Sequence, residues 1–198
     1  MYIPEDFQFN EAQEQMAFIK QYNFGMLITH TSKGLEATHI PFMYDDKKEC
    51  FQAHIARANK QLENYENQEV LIVFQGPHAY VSSSWYNHPN VPTWNYVAVH
   101  VYGQLQIVKD KTDIKKALID LVNHHEKHED QPLDIDKIDD IINKEMRGIT
   151  FFEINSLRFE GVKKLSQNRH AQDYSNIISH LENKGQENLT DFMKKVIK

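Results

Sequence analysis

The stretch Val97-Ala98-Val99-His100-Val101-Tyr102-Gly103-Gln104-Leu105-Gln106-Ile107 decides the fold. Val97, Val99, Val101, Leu105 and Ile107 alternate with Ala98, His100, Tyr102, Gln104 and Gln106, and Gly103 keeps the phase. A period of two is the signature of a strand with one face on a core; the other face is then partly wet or lines a site. A strand this long suits a barrel, in which tilt lets one strand serve the whole wall.

Upstream, β-like runs at 24–29, 35–44, 49–55, 69–75 and 78–82 are separated by Thr31-Ser32-Lys33-Gly34, Asp45-Asp46-Lys47-Lys48 and Gly76-Pro77. Such turn chemistry between closely spaced strands predicts hairpins and an antiparallel sheet. Before them, Ala12, Met16, Ile19 and Tyr22 predict a short amphipathic helix over 10–22, with Asn10 and Gln13 as its capping pair. Downstream, two apolar stripes, Ile114 to His125 and Ile135 to Met146, predict a helical insertion at about 112–146. Strands resume at 149–154 and 157–164, and two helical patterns, 173–181 and 190–197, flank Gly185 within a helical end spanning about 171–198. The expected architecture is one mainly β (α+β) domain over 1–198, an antiparallel barrel with peripheral helices.

Bulk properties narrow the function. The single cysteine, Cys50, excludes an intrachain disulfide and with it a stapled secreted scaffold. The longest apolar run, Val70-Leu71-Ile72-Val73-Phe74, is far short of the roughly 20 residues that cross a bilayer. The opening Met1-Tyr2-Ile3-Pro4-Glu5-Asp6 lacks the basic-then-apolar pattern of a secretory leader, so a cytoplasmic location is expected. A net charge of -6 argues against a surface made wholly for the phosphate backbone of nucleic acid.

Several segments carry candidate chemistry. In His54-Ile55-Ala56-Arg57-Ala58-Asn59-Lys60-Gln61-Leu62 a strand gives way to a helical turn with Asn59 as its N-cap. Free N–H groups there attract an anion, Arg57 adds a planar fork and Lys60 a point charge. Solvated surface cations would read the same way. Gln75-Gly76-Pro77-His78-Ala79-Tyr80-Val81-Ser82-Ser83-Ser84-Trp85-Tyr86 crowds hydroxyls and aromatics without a nucleophile-elbow pattern. Trp94 and Tyr96 share one strand face, and Asn95 sits beside Val97 on the other, where its amide needs a partner. Lys163-Lys164-Leu165-Ser166-Gln167-Asn168-Arg169 is rich in donors and free of acids, which suits a phosphate, an electron-rich heterocycle or a solvated loop. His124-His125-Glu126-Lys127-His128 is not the His-Glu-x-x-His of a metalloprotease, and no metal site is expected. Gly-x-Gly-x-x-Gly and Walker patterns are absent from the sequence, which sets aside Rossmann and P-loop chemistry.

Taken in order, Phe51 to Asn59, Phe74 to Tyr86, Val91 to Gly103 and Lys164 to Arg169 closely resemble the PaiB-like family of FMN-binding negative transcriptional regulators, from Met1-Tyr2-Ile3-Pro4 to about Leu181. The resemblance implies the FMN-binding split barrel, usually a homodimer holding two flavins at its interface. It assigns His54, Arg57, Ala58, Asn59 and Lys60 to the phosphate end of FMN, and Gln75, Ser82, Trp94 and Asn95 to the ribityl chain and ring. Lys164, Gln167 and Arg169 would approach the flavin, from the other subunit. The family usually reads Asn-Pro-Gln and Ser-Pro-Ser-Trp-Tyr where this chain has Asn59-Lys60-Gln61 and Ser82-Ser83-Ser84-Trp85-Tyr86, so two loops are expected to be looser. A regulator, with DNA or a protein as partner, is the function this implies; a flavin reductase or oxidase and a haem-binding protein are the alternatives. Only Lys194, Lys195 and Lys198 form a terminal basic patch for direct DNA contact, and no residue is assigned a catalytic role.

Overall fold

The computed structural model describes residues 1–127 and 129–196. Its strands are β1 (Phe24–Thr31), β2 (Gly34–Pro41), β3 (Met43–Asp45), β4 (Cys50–Ala56), β5 (Glu69–Val81), β6 (Thr93–Ile107) and β7 (Ile149–Lys164). They form one sheet in the order β2-β1-β5-β6-β7-β4-β3. The pairs β1·β2, β3·β4 and β4·β7 are antiparallel, with Thr31 opposite Gly34 in the first hairpin and Asp45 opposite Cys50 in the second. Gly34 closes the first turn at φ 110°, a conformation side chains avoid. Asp45 closes the second by accepting from the Lys47 and Lys48 N–H groups. The helices are α1 (Ala12–Gln21), α2 (Lys111–Glu126), α3 (Asp139–Glu145), α4 (Ala171–Glu182) and α5 (Glu187–Val196).

The chain divides into two compact units, each assembled from separated segments: residues 1–22, 73–101 and 159–198 in the first, and 23–72 and 102–158 in the second. In the first, Phe18, Phe74, Val97, Val99, Leu165, Ile177 and Leu181 are buried. Here α4 and α5 join through Gly185 at φ 70°, where the Gln186 N–H reaches the Leu181 carbonyl in the expected helix-ending geometry. In the second, Leu27, Phe42, Phe51, Ile72, Leu105, Phe152 and Ile154 are buried. The predicted alternation along β6 holds, since Val97, Val99, Val101 and Leu105 are fully inaccessible.

Five local expectations are corrected. The cap of α1 is Glu11, without a side-chain bond, and Asn10 lies outside it with its amide donating to Gln8 Oε1. The run 35–44 is two strands, broken where buried Phe42 donates its N–H to the Asn23 carbonyl. Gly76-Pro77 is no turn but lies within β5, and the glycine is there for room: a Cβ on Gly76 would stand 2.5 Å from the Phe18 ring. The runs 149–154 and 157–164 are one strand, which Ser156 at φ 54° kinks without ending. The expected helix 190–197 begins earlier, at Glu187, and Ile197 lies outside the described residues.

Candidate functional site

The turn after β4, in the second unit, is built from within the chain. Asn59, at extended φ/ψ, caps a 3-10 turn (Lys60–Leu62), its Oδ1 accepting from the Gln61 N–H at 3.0 Å while its Nδ2 donates to Thr38 Oγ1 at 3.0 Å. Gln61, 1% exposed, reaches under the turn to the β1·β2 hairpin, where its Nε2 donates to the Leu27 and Glu36 carbonyls and Thr29 Oγ1. The Thr38 hydroxyl bonds its Oε1. The N–H expected to be open to an anion is therefore already taken by Asn59, and the turn offers cations instead. Arg57 is exposed, tethered by its Nε and one terminal nitrogen to the Ile149 carbonyl at 3.3 and 3.1 Å, which leaves three of its five N–H groups unspent on that carbonyl. Ala58 and Lys60 are exposed beside it. His54, on β4 opposite Phe151, is held below the usual imidazole range by burial.

Side-chain caps stand one residue before each position where the resemblance implies proline. Ser82 caps the 3-10 turn Ser83–Trp85, its Oγ accepting from the Ser84 N–H at 3.2 Å, as Asn59 caps its own turn. Lys60 and Ser83 occupy the first position of these turns, after residues with ψ of 118° and 144°, the geometry proline and its predecessor prefer. Lys60→Pro and Ser83→Pro are each expected to stabilise the protein by roughly 0.4–1 kcal/mol through the unfolded state. Denaturant midpoints at constant slope check this, and a lowered midpoint would show that the caps already impose a different geometry.

In the first unit, the even-numbered face of β6 meets β5. Trp94, 52% exposed, stacks on His78 with centroids 5.9 Å apart and 26° between planes, and Tyr80 meets its edge at 6.1 Å. Gln75, His78, Trp94, Tyr96 and His100 line a concavity of about 350 Å3, floored by Val73 and Ala98 and bordered by Met1. Gln75 and Trp94, both expected from the sequence, therefore meet. His78, Tyr96 and His100 were missed, although the last two lie on the face the alternation marked as wet or site-lining. Among the described residues His100 Nδ1 is buried without a hydrogen-bond partner. Burial is the main cause holding this imidazole below its ordinary range; the N-terminal ammonium acts in the same direction and Glu160 opposes it.

The remaining expected residues, also in the first unit, are largely engaged with the chain itself. Asn95 is fully buried, accepting from Ser166 Oγ at 2.8 Å and directing its amide to Met193 Sδ at 3.7 Å. Gln167 accepts from the Leu165 N–H and donates to the Asp6 and Lys163 carbonyls. Lys164 Nζ lies 2.6 Å from Thr93 Oγ1, and the Arg169 guanidinium sits 5.3 Å from the centre of the Tyr86 ring. The rings of His124 and His125 meet edge-on at 5.1 Å, while His128 and Lys198 lie outside the described residues. Among the described residues no three histidine, cysteine or acidic side chains converge on a metal position, and no helix is long and apolar enough to cross a membrane.

A seven-stranded sheet in this order, with helices inserted before its last strand and following it, is the split-barrel fold that the sequence led us to expect. The chain belongs to the family described as "Putative FMN-binding domain", matched over residues 1–157. It is similar to the "Protease synthase and sporulation protein PAI 2" of Bacillus subtilis, with 39% identity over 187 residues, 92% of this chain and 90% of the relative. An uncharacterized protein of Saccharomyces cerevisiae is 42% identical over 89 residues, 40% of this chain and 53% of that one. Among solved structures, the fold is like that of a flavocytochrome from Azotobacter vinelandii, with TM-score 0.62, 13% identity, and 83% and 73% of the two chains covered. It is also like that of a conserved hypothetical protein from Mycobacterium tuberculosis, with TM-score 0.61, 11% identity, and 86% and 94% covered. FMN is the cofactor of this family, and the first unit's concavity suits it: a flat aromatic wall for a planar ring and, in His100 Nδ1, a buried nitrogen in need of a partner.

Proposed function

We propose that this chain is a homodimeric FMN-binding protein that acts in the cytoplasm as a negative regulator of transcription, directly or through a protein partner. The observation that carries the flavin half is the Trp94–His78 wall with Gln75, Tyr96 and His100 around it. The wall packs a heterocycle, and Gln75 and His100 supply hydrogen bonds to its heteroatoms. Bound FMN would supply reversible electron uptake, so the redox state of the ring becomes a signal the regulator can report. A partner copy is supported by the first unit's exposed Tyr2, Tyr80, Val91 and Trp94, large apolar side chains that a monomer gains nothing by leaving in water. The regulatory half is supported by similarity to the sporulation protein of Bacillus subtilis.

The test is an absorbance spectrum of the freshly purified protein, repeated as FMN is added. Saturable flavin bands with quenched flavin fluorescence are expected; a protein that leaves the free-flavin spectrum unchanged at every concentration sinks the proposal. For the regulatory half, mobility shifts over a salt series distinguish the routes. A specific, salt-sensitive complex at micromolar protein supports direct binding, and its absence removes the direct version.

A further inference from the structure

The second unit holds a cleft of about 830 Å3 between the end of β6, the first turns of α2, the end of α3 and the start of β7. Five of its lining residues are cations, Arg57, Lys109, Lys111, Lys115 and Arg147, and none is acidic, in a chain whose net charge is -6. Lys115 is paired with Asp139 at 2.5 Å. Among the described residues no carboxylate pairs with Lys109, Lys111 or Arg147, and Arg57 meets only a neutral carbonyl with its side chain. Asp110, beside the rim, turns its carboxylate onto the Thr112 and Asp113 N–H groups at the start of α2. Below the rim the floor is apolar, made by Ile107, Val108, Ile114, Met146 and Ile149.

Gathering like charges around one hollow costs Coulomb energy that a multivalent anion would relieve. A single phosphate monoester, with a charge near -2, leaves two of the four cations that lack a carboxylate uncompensated. The floor presents aliphatic and thioether surface to an organic group, and Thr112, Asn143 and Thr150 add hydrogen-bonding groups to the wall. We infer that the cleft is a second ligand site, distinct from the flavin's ring site, for a nucleoside polyphosphate: phosphates on Lys109, Lys111 and Arg147, nucleoside on the apolar floor. The volume lies within the usual range for small-molecule sites. Such a ligand would make the protein responsive to nucleotide supply as well as to the flavin.

The test titrates ATP, inorganic triphosphate and a short DNA duplex into FMN-saturated full-length protein by calorimetry, and repeats the series with Lys111→Gln/Arg147→Gln. Both residues are exposed, so the variant is expected to keep its fold, which its thermal melt checks. ATP is expected to bind without releasing FMN and to lose about tenfold or more in affinity in the variant, while FMN affinity is unchanged. Triphosphate binding more weakly than ATP supports a part for the floor; equal binding overturns it. The inference fails if ATP gives no signal at millimolar concentration, if it displaces FMN, if the variant binds as tightly, or if the duplex outcompetes ATP. A chain that binds ATP but not FMN would sink the flavin proposal alone, and the converse would sink only this one.

Discussion

Gln61→Leu is expected to lower the unfolding free energy by about 2–4 kcal/mol, the largest loss of stability from any single polar substitution near the turn after β4. The wild-type amide is shared among the Leu27 and Glu36 carbonyls and Thr29 Oγ1, and its oxygen takes the Thr38 hydroxyl. Leucine matches the size of glutamine but leaves these groups facing an apolar side chain with water excluded, and each unsatisfied buried group costs roughly 1–3 kcal/mol. Two carbonyls belong to residues of the β1·β2 hairpin, so relaxing them would require distorting paired strands. Urea unfolding measures the loss, with exposed Lys60→Gln as the control expected to change little. A drop below about 1 kcal/mol would mean that water or neighbouring groups replace the amide, and that Gln61 does not rivet the turn.

Arg57→Ala is expected to weaken FMN binding by about a hundredfold, since the two charge-assisted bonds that the resemblance implies to the FMN phosphate are removed together. Its tether to the Ile149 carbonyl fixes the side chain before ligand arrives, so little rotamer freedom is lost on binding. Arg57→Lys keeps the charge and loses the fork, and should fall between. Trp94→Ala should cost roughly tenfold or more by removing a stacking face. Fluorescence titration of FMN separates these outcomes. Unchanged affinity in Arg57→Ala would detach this residue from the flavin and leave it to the basic cleft it also lines.

The legible parts of the fold are those encoded by neighbours in sequence. The alternation of β6, the Gly34 turn, the Asp45 turn and the Gly185 link between α4 and α5 each follow from a few adjacent residues, and the structure carries them as expected. Gly76-Pro77 and the break near Ser156 misled for the opposite reason. Whether a glycine turns the chain or admits a ring depends on what packs against it, here Phe18 from a distant helix. At the site, Trp94 and Gln75 were legible by type and position, but His100 was not singled out. Its significance is an unpartnered nitrogen, which exists only once burial has removed water from it.

Sequence by itself determined the antiparallel character of the sheet, the helical insertion and helical end, and the family, because backbone preference and side-chain chemistry are carried residue by residue. Tertiary structure alone decided how those side chains are spent. Asn95 is consumed by Ser166 and Met193 and Gln167 by backbone carbonyls, whereas Lys109, Lys111 and Arg147 gather round one hollow with no carboxylate to meet them among the described residues. Hydrogen bonds and charge clusters join positions tens of residues apart, so their partners are settled by packing and are invisible to any local pattern.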